Sequence, residues 1–95
     1  MMPYIKKIDR ASYDDIVDSL ADKVKYNGEA DAKQYCGDLN YIITTLLHKV
    51  LDDGVRTGYA DYNELIGMLE CCKLELYRRK VAPYEDEKIK ENGDV

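Results

Sequence analysis

The chain has no phenylalanine and no tryptophan, and among its 95 residues only one histidine, two prolines and three cysteines. Each scarcity excludes something. With Phe and Trp missing, all aromatic surface comes from nine tyrosines, and each phenol brings a hydroxyl that needs water or a partner when buried. The lone His48 falls at the edge of an apolar stripe, so a Cys-His or Ser-His dyad would need a chance tertiary approach. Cys36, Cys71 and Cys72 form no C-x-x-C pair, and an odd count with two neighbours is a poor disulfide framework. A reducing, cytoplasmic setting is the expectation. No Gly-rich phosphate loop of the Walker or dinucleotide type is present. No run approaches the ~18 apolar residues of a membrane span, and the opening MMPYIKKIDR lacks the apolar stretch of a secretory leader. Cationic residues are in the minority, 14 Lys and Arg against 19 Asp and Glu. The resulting net charge of −5 argues against binding a nucleic-acid backbone, which needs clustered cations to displace counterions.

What is present is ordinary for a globular chain: 45% hydrophobic and 35% charged residues. The expectation is one all-α domain over residues 1–95, with a small core that oligomerisation would supplement. Residues 1–11, with Pro3 and no sustained helical period, are read as an extended N-terminal arm. Ser12 with Asp15 forms an S-x-x-D cap, predicting a first helix over 12–26 whose stripe is Tyr13, Ile16, Val17, Leu20, Ala21 and Val24. Asn27 and Gly28 would end it. A second helix is predicted over 29–53, with Ala32, Tyr35, Cys36, Leu39, Ile42, Ile43, Leu46, Leu47, Val50 and Leu51 in one phase across Gly37. Either a neighbouring backbone packs closely at Gly37, or the helix restarts with Asp38 as its cap. Asp61 with Glu64 predicts the start of a third helix over 62–82, stopped by Pro83. The remainder, 83–95, is a charged tail able to form one short helix ended by Gly93. Apolar residues surround the third helix more widely than one stripe, and this excess predicts a second packing partner: either the N-terminal arm and the tail wrap over it or a second subunit does, and a homo-oligomer is the expectation.

The candidate chemistry clusters late in the chain. Glu64, Met68, Cys71 and Glu75 fall nearly in line on the third helix, and Glu75 with Arg79 makes an i, i+4 pair. The basic turn Arg78, Arg79, Lys80 either complements the helix dipole or offers a planar fork to phosphate, with Tyr77 and Tyr84 as stacking surfaces. Asn40, Glu64 and Glu70 would line a small polar pocket if Gly37 and Gly67 allow close helix approach; the plainer alternative is an interhelical hydrogen bond. The paired E-x-x-E and E-x-x-D motifs of all-α nucleotide pyrophosphohydrolases are missing. Asp15 and Asp18 have suitable spacing but lie opposite their helix's apolar stripe. A magnesium-dependent phosphohydrolase using Glu70 and Glu75 is the enzyme alternative. No metal ligands and no cofactor are assigned.

The runs GDLNYIIT (37–44), NELIGMLECCKLELYRR (63–79) and VAPYEDEKIKENGDV (81–95), with the MPYI opening, resemble a family of small uncharacterised proteins met in bacteria, prophages and tailed phages. That resemblance implies a phage or prophage origin and carries no established activity with it. A small, acidic, phage-type protein suggests an accessory binding role in the bacterial host, without catalysis: sequestering a signalling nucleotide, or occupying a host protein surface. For a nucleotide, Arg78 and Arg79 would hold phosphates, Tyr77 and Tyr84 would stack on a base, and Glu85, Asn92 and Asp94 would meet ribose or base edges.

Overall fold

The computed structural model describes residues 5–26 and 34–95. Its described residues form helices and no strand, as the periodicity predicts. The chain divides into two units, Met1–Arg56 and Thr57–Val95.

In the first unit, helix α1 spans Lys7–Lys25 and so begins before Ser12. Nothing in Lys7 to Ala11 breaks a helix, and Asp9 in the first turn favours the positive end of the helix dipole. Of the predicted arm, residues 1–4 lie outside the described residues and residues 7–11 are helical; Lys6, with its backbone in the β region, is the N-cap, and Arg10 Nε donates to the Ile5 carbonyl at 3.2 Å. Ser12 is no cap. Its hydroxyl donates back to the Asp9 carbonyl at 3.2 Å, the ordinary behaviour of a serine inside a helix. The predicted stop at Asn27 and Gly28, and the predicted start at Glu29, lie outside the described residues.

Helix α2 (Gln34–Leu51) runs unbroken through Gly37, which places Asp38 inside the helix and removes its role as a cap. The C-terminal half of α1 lies beside the N-terminal half of α2 as a helical hairpin. Leu20, Lys23, Val24, Asp38, Tyr41 and Ile42 line an open groove of about 270 Å³ between them. The half-buried positions are Ala21 and Val24 on α1 and Asp38, Ile42, Thr45, Leu47 and Leu51 on α2. Asp53 organises the loop that follows. Its Oδ1 accepts from the N–H groups of Val55 (2.8 Å) and Arg56 (3.0 Å), its carboxylate pairs with the Arg56 guanidinium, and Gly54 supplies the positive φ of 77°.

The second unit is one uninterrupted helical run. Helix α3 (Tyr59–Leu76) starts two residues before Asp61, with Gly58 as its N-cap. Asp61 stands at the third position and its carboxylate accepts the Gly58 N–H at 3.2 Å. This is half of a capping box, the half that a glycine at the cap leaves available. After Leu76 the helix widens into a π segment, Tyr77–Val81, and then continues as α4 (Ala82–Asn92), so Pro83 does not end it. Gly93, with φ 85°, does: its N–H returns to the Ile89 carbonyl at 2.8 Å.

Among the described residues none is fully buried, and no buried side-chain polar atom lacks a partner. Open space also surrounds two glycines expected to admit a close neighbour: a β-carbon at Gly37 or at Gly67 would meet nothing within 4 Å. Neither backbone approach nor a special dihedral holds glycine at these positions. Gly37→Ala and Gly67→Ala are each expected to stabilise the helix by about 0.5–1 kcal/mol, the entropic cost of an interior glycine. Thermal unfolding followed by circular dichroism reads this directly, and a lowered midpoint would mean that something does approach those backbones.

Candidate functional site

Tyr77, Arg78 and Arg79 are the first three residues of the π segment, so the candidate ligand residues coincide with the one irregular stretch of the second unit's helix. The cause lies four residues further on. Pro83 has no N–H, and in a regular α-helix its ring would collide with the Arg79 carbonyl. Widening the preceding turn relieves that crowding, and the wider register is seen directly in the Ala82 N–H donating to the Tyr77 carbonyl, five residues back.

The π segment changes which side chains meet. Eight residues of regular α-helix finish about 80° away from where they began. One residue added to the turn rotates the following helix back, and Glu85 comes onto the face of Tyr77. The Tyr77 hydroxyl donates to the Glu85 carboxylate, 2.9 and 3.0 Å from its two oxygens. Because only the neutral phenol can donate this bond, and because ionising it would set two negative charges side by side, the Tyr77 pKa is raised above the usual phenol value of 10.0.

The two arginines converge on one acceptor. Glu75 Oε1 takes a hydrogen bond from Arg78 Nη2 at 2.6 Å and another from Arg79 Nε. The pairing predicted for Glu75 with Arg79 is thus present, with Arg78 added to it. Such exposed pairs are individually worth little in stability, but they decide how much positive charge a ligand would meet. Tyr84 is an exposed ring with the Lys88 ammonium 5.5 Å from its centroid. Asn92 closes α4, and Asp94 lies past Gly93, where its Oδ1 accepts the Val95 N–H at 2.7 Å.

Of the polar-pocket candidates, Asn40 lies in the first unit, where its Oδ1 accepts from the Thr44 hydroxyl at 3.4 Å. Glu64 and Glu70 are exposed on α3, and Glu70 pairs with Lys73 at 3.1 Å. His48 is exposed on α2. One turn of α3 also holds a sulfur contact that the sequence reading did not single out, Cys72 Sγ to Met68 Sδ at 3.6 Å. Among the described residues no three His, Cys, Asp or Glu side chains are grouped to hold a metal ion.

An uninterrupted helix carrying its polar groups in self-paired turns, together with a helical hairpin, defines a small all-α protein. The chain belongs to the family described as Domain of unknown function (DUF6899), which it matches over residues 2–95. No curated protein and no solved structure matches it.

The Tyr77 to Glu85 bond gives a pH prediction with a definite sign. A pKa raised by folding contributes stability that is complete below the unfolded value, about 10, and is lost as pH climbs through the folded value. In a carbon-13 tyrosine titration, Tyr77 is expected to ionise above an ordinary phenol, and Glu85→Gln should bring it down. Pro83→Ala should do the same by letting the helix return to α register; a Tyr77 titration unmoved in that variant would show that the proline is not what holds the π segment.

Proposed function

We propose that this chain is a small, non-catalytic accessory binding protein of the phage type, acting in the bacterial cytoplasm through protein contacts and as a homo-oligomer. The observation that carries this reading is apolar surface without cover. Ile16 on α1, Leu46 on α2 and Ile66 on α3 are 66%, 58% and 65% exposed, and no described residue is buried. Helices in water draw most of their stability from an apolar face that something covers, so these faces call for protein. The charged groups make the complementary point. Glu70 sits on Lys73 and Glu75 on Arg78 and Arg79, each within a turn of its own helix, which favours a solvated polar face over a set of carboxylates gathered for magnesium. The absence of any helix long and apolar enough to cross a membrane, among the described residues, and the three free thiols are in keeping with the proposed compartment.

A second reading is supported by the coincidence of Tyr77, Arg78 and Arg79 with the π segment, since such segments recur at functional sites. A nucleotide phosphate would have to draw the arginines from Glu75, with Tyr84 as the stacking ring. Two measurements separate the readings. Sedimentation at micromolar concentration is expected to return a multiple of the 10.9 kDa chain mass, and calorimetry against cyclic and ADP-ribose-type nucleotides is expected to be silent. Saturable heat that disappears in Arg78→Ala and Arg79→Ala would establish the nucleotide reading instead.

A further inference from the structure

Leu39, Ile43, Leu46 and Val50 follow one another along α2 at intervals of four, three and four residues, and Cys36 extends the series by one step of three. In heptad terms Ile43 and Val50 share the a position with Cys36, and Leu39 and Leu46 share d. Helix α1 does not cover this seam. Asp38 and Ile42, which line the groove against α1, lie with the half-buried Thr45 on a neighbouring face about 100° away, Leu47 and Leu51 are half-buried on the other flank, and Leu39, Ile43, Leu46 and Val50 remain 41%, 46%, 58% and 44% exposed.

We infer that this seam docks against the same seam of a second copy, with the two α2 helices parallel about a two-fold axis. The inference rests on the self-association proposed above and names the surface that performs it. Two features select a second copy as the occupant. β-branched residues at a with leucine at d make a self-complementary surface that favours two parallel strands, and a two-fold axis sets identical residues opposite one another. Charge selects the same face. Two chains that each carry −5 repel, and Leu39 to Leu51 is the longest stretch of the sequence without an aspartate or glutamate. The positions flanking the seam, Asn40, Ile42, Leu47 and Lys49, are likewise free of acid.

Parallel pairing also brings the two Cys36 residues face to face at a, within the ~4.4–6.8 Å between α-carbons that a disulfide spans. Cys36 is a free, exposed thiol. It is therefore a built-in reporter. In a chain carrying Cys71→Ala and Cys72→Ala, oxidised glutathione is expected to link two copies through Cys36, the pair of thiols giving up two hydrogens as the oxidant leaves as two molecules of reduced glutathione. Leu46→Glu should abolish the cross-link and bring the sedimenting mass to that of one chain, while Thr44→Glu, off the seam on the same helix, should change neither. A multimeric mass with no Cys36 cross-link and no response to Leu46→Glu would overturn the α2 seam and leave self-association standing. A single-chain mass at every concentration, as expected if the chain covers this face itself or reserves it for another protein, would overturn both. Helicity by circular dichroism, read beside the mass, separates a dissociated Leu46→Glu from an unfolded one, and the cross-link in the chain with an intact seam is decisive without it.

Discussion

A proline in mid-helix has no proton to donate and no room behind it, and much of the second unit follows from how Pro83 is accommodated. A break at Ala82 would have been one solution. The chain takes another, widening a single turn so that helical backbone continues from Tyr59 to Asn92. The widened turn sets the rotation of everything beyond it. Only in that rotation does Glu85 come under Tyr77, so a carboxylate eight residues away controls the ionisation of a phenol. The bond in turn spans the π segment, from its first residue to α4.

This accommodation also explains what could and could not be read in advance. The all-α class, the hairpin-forming stripes and the glycine end at Gly93 follow from 3.6-residue periodicity and from capping chemistry, which act locally and leave a mark in the sequence. Continuity through Pro83 left no such mark, because the rule that proline disfavours a helix is a statement about regular α geometry and is silent on a π turn. The two early starts have a different cause. Ser12 and Asp61 both looked like caps, yet each stands inside its helix, one bonding back to Asp9 and the other reaching back to Gly58. Polar residues that favour a cap also make hydrogen bonds a turn away, so spacing alone shifts the boundary.

The candidate site was legible in its parts and not in its pairing. Tyr77, Arg78 and Arg79 are consecutive in the chain, and their nearness needs no structure. What spacing could not supply was that Glu75 accepts from both arginines, because Arg78 at i+3 and Arg79 at i+4 were equally entitled to it. Nor could it supply the Tyr77 to Glu85 bond, an i, i+8 contact that no regular helix makes. The consequence is electrostatic: the two cations meet solvent already paired with a carboxylate, and a dianionic ligand would compete with Glu75 for them.

Apolar pattern, by contrast, survives in the sequence even where cover is missing from the single chain. Of the stripe read on α2, Ile42 lies with the half-buried Asp38 and Thr45 on a first face, toward α1, whereas Leu39, Ile43, Leu46 and Val50 form a second, exposed one. A helix in a hairpin needs only the first. Maintaining a second costs solubility, and in a strongly acidic chain the cheapest remedy would be an aspartate or glutamate at one of those positions. The second face instead keeps leucine and β-branched residues in strict alternation and excludes acid from Leu39 to Leu51. That combination is costly for a surface left in water and well suited to a surface that meets its own copy.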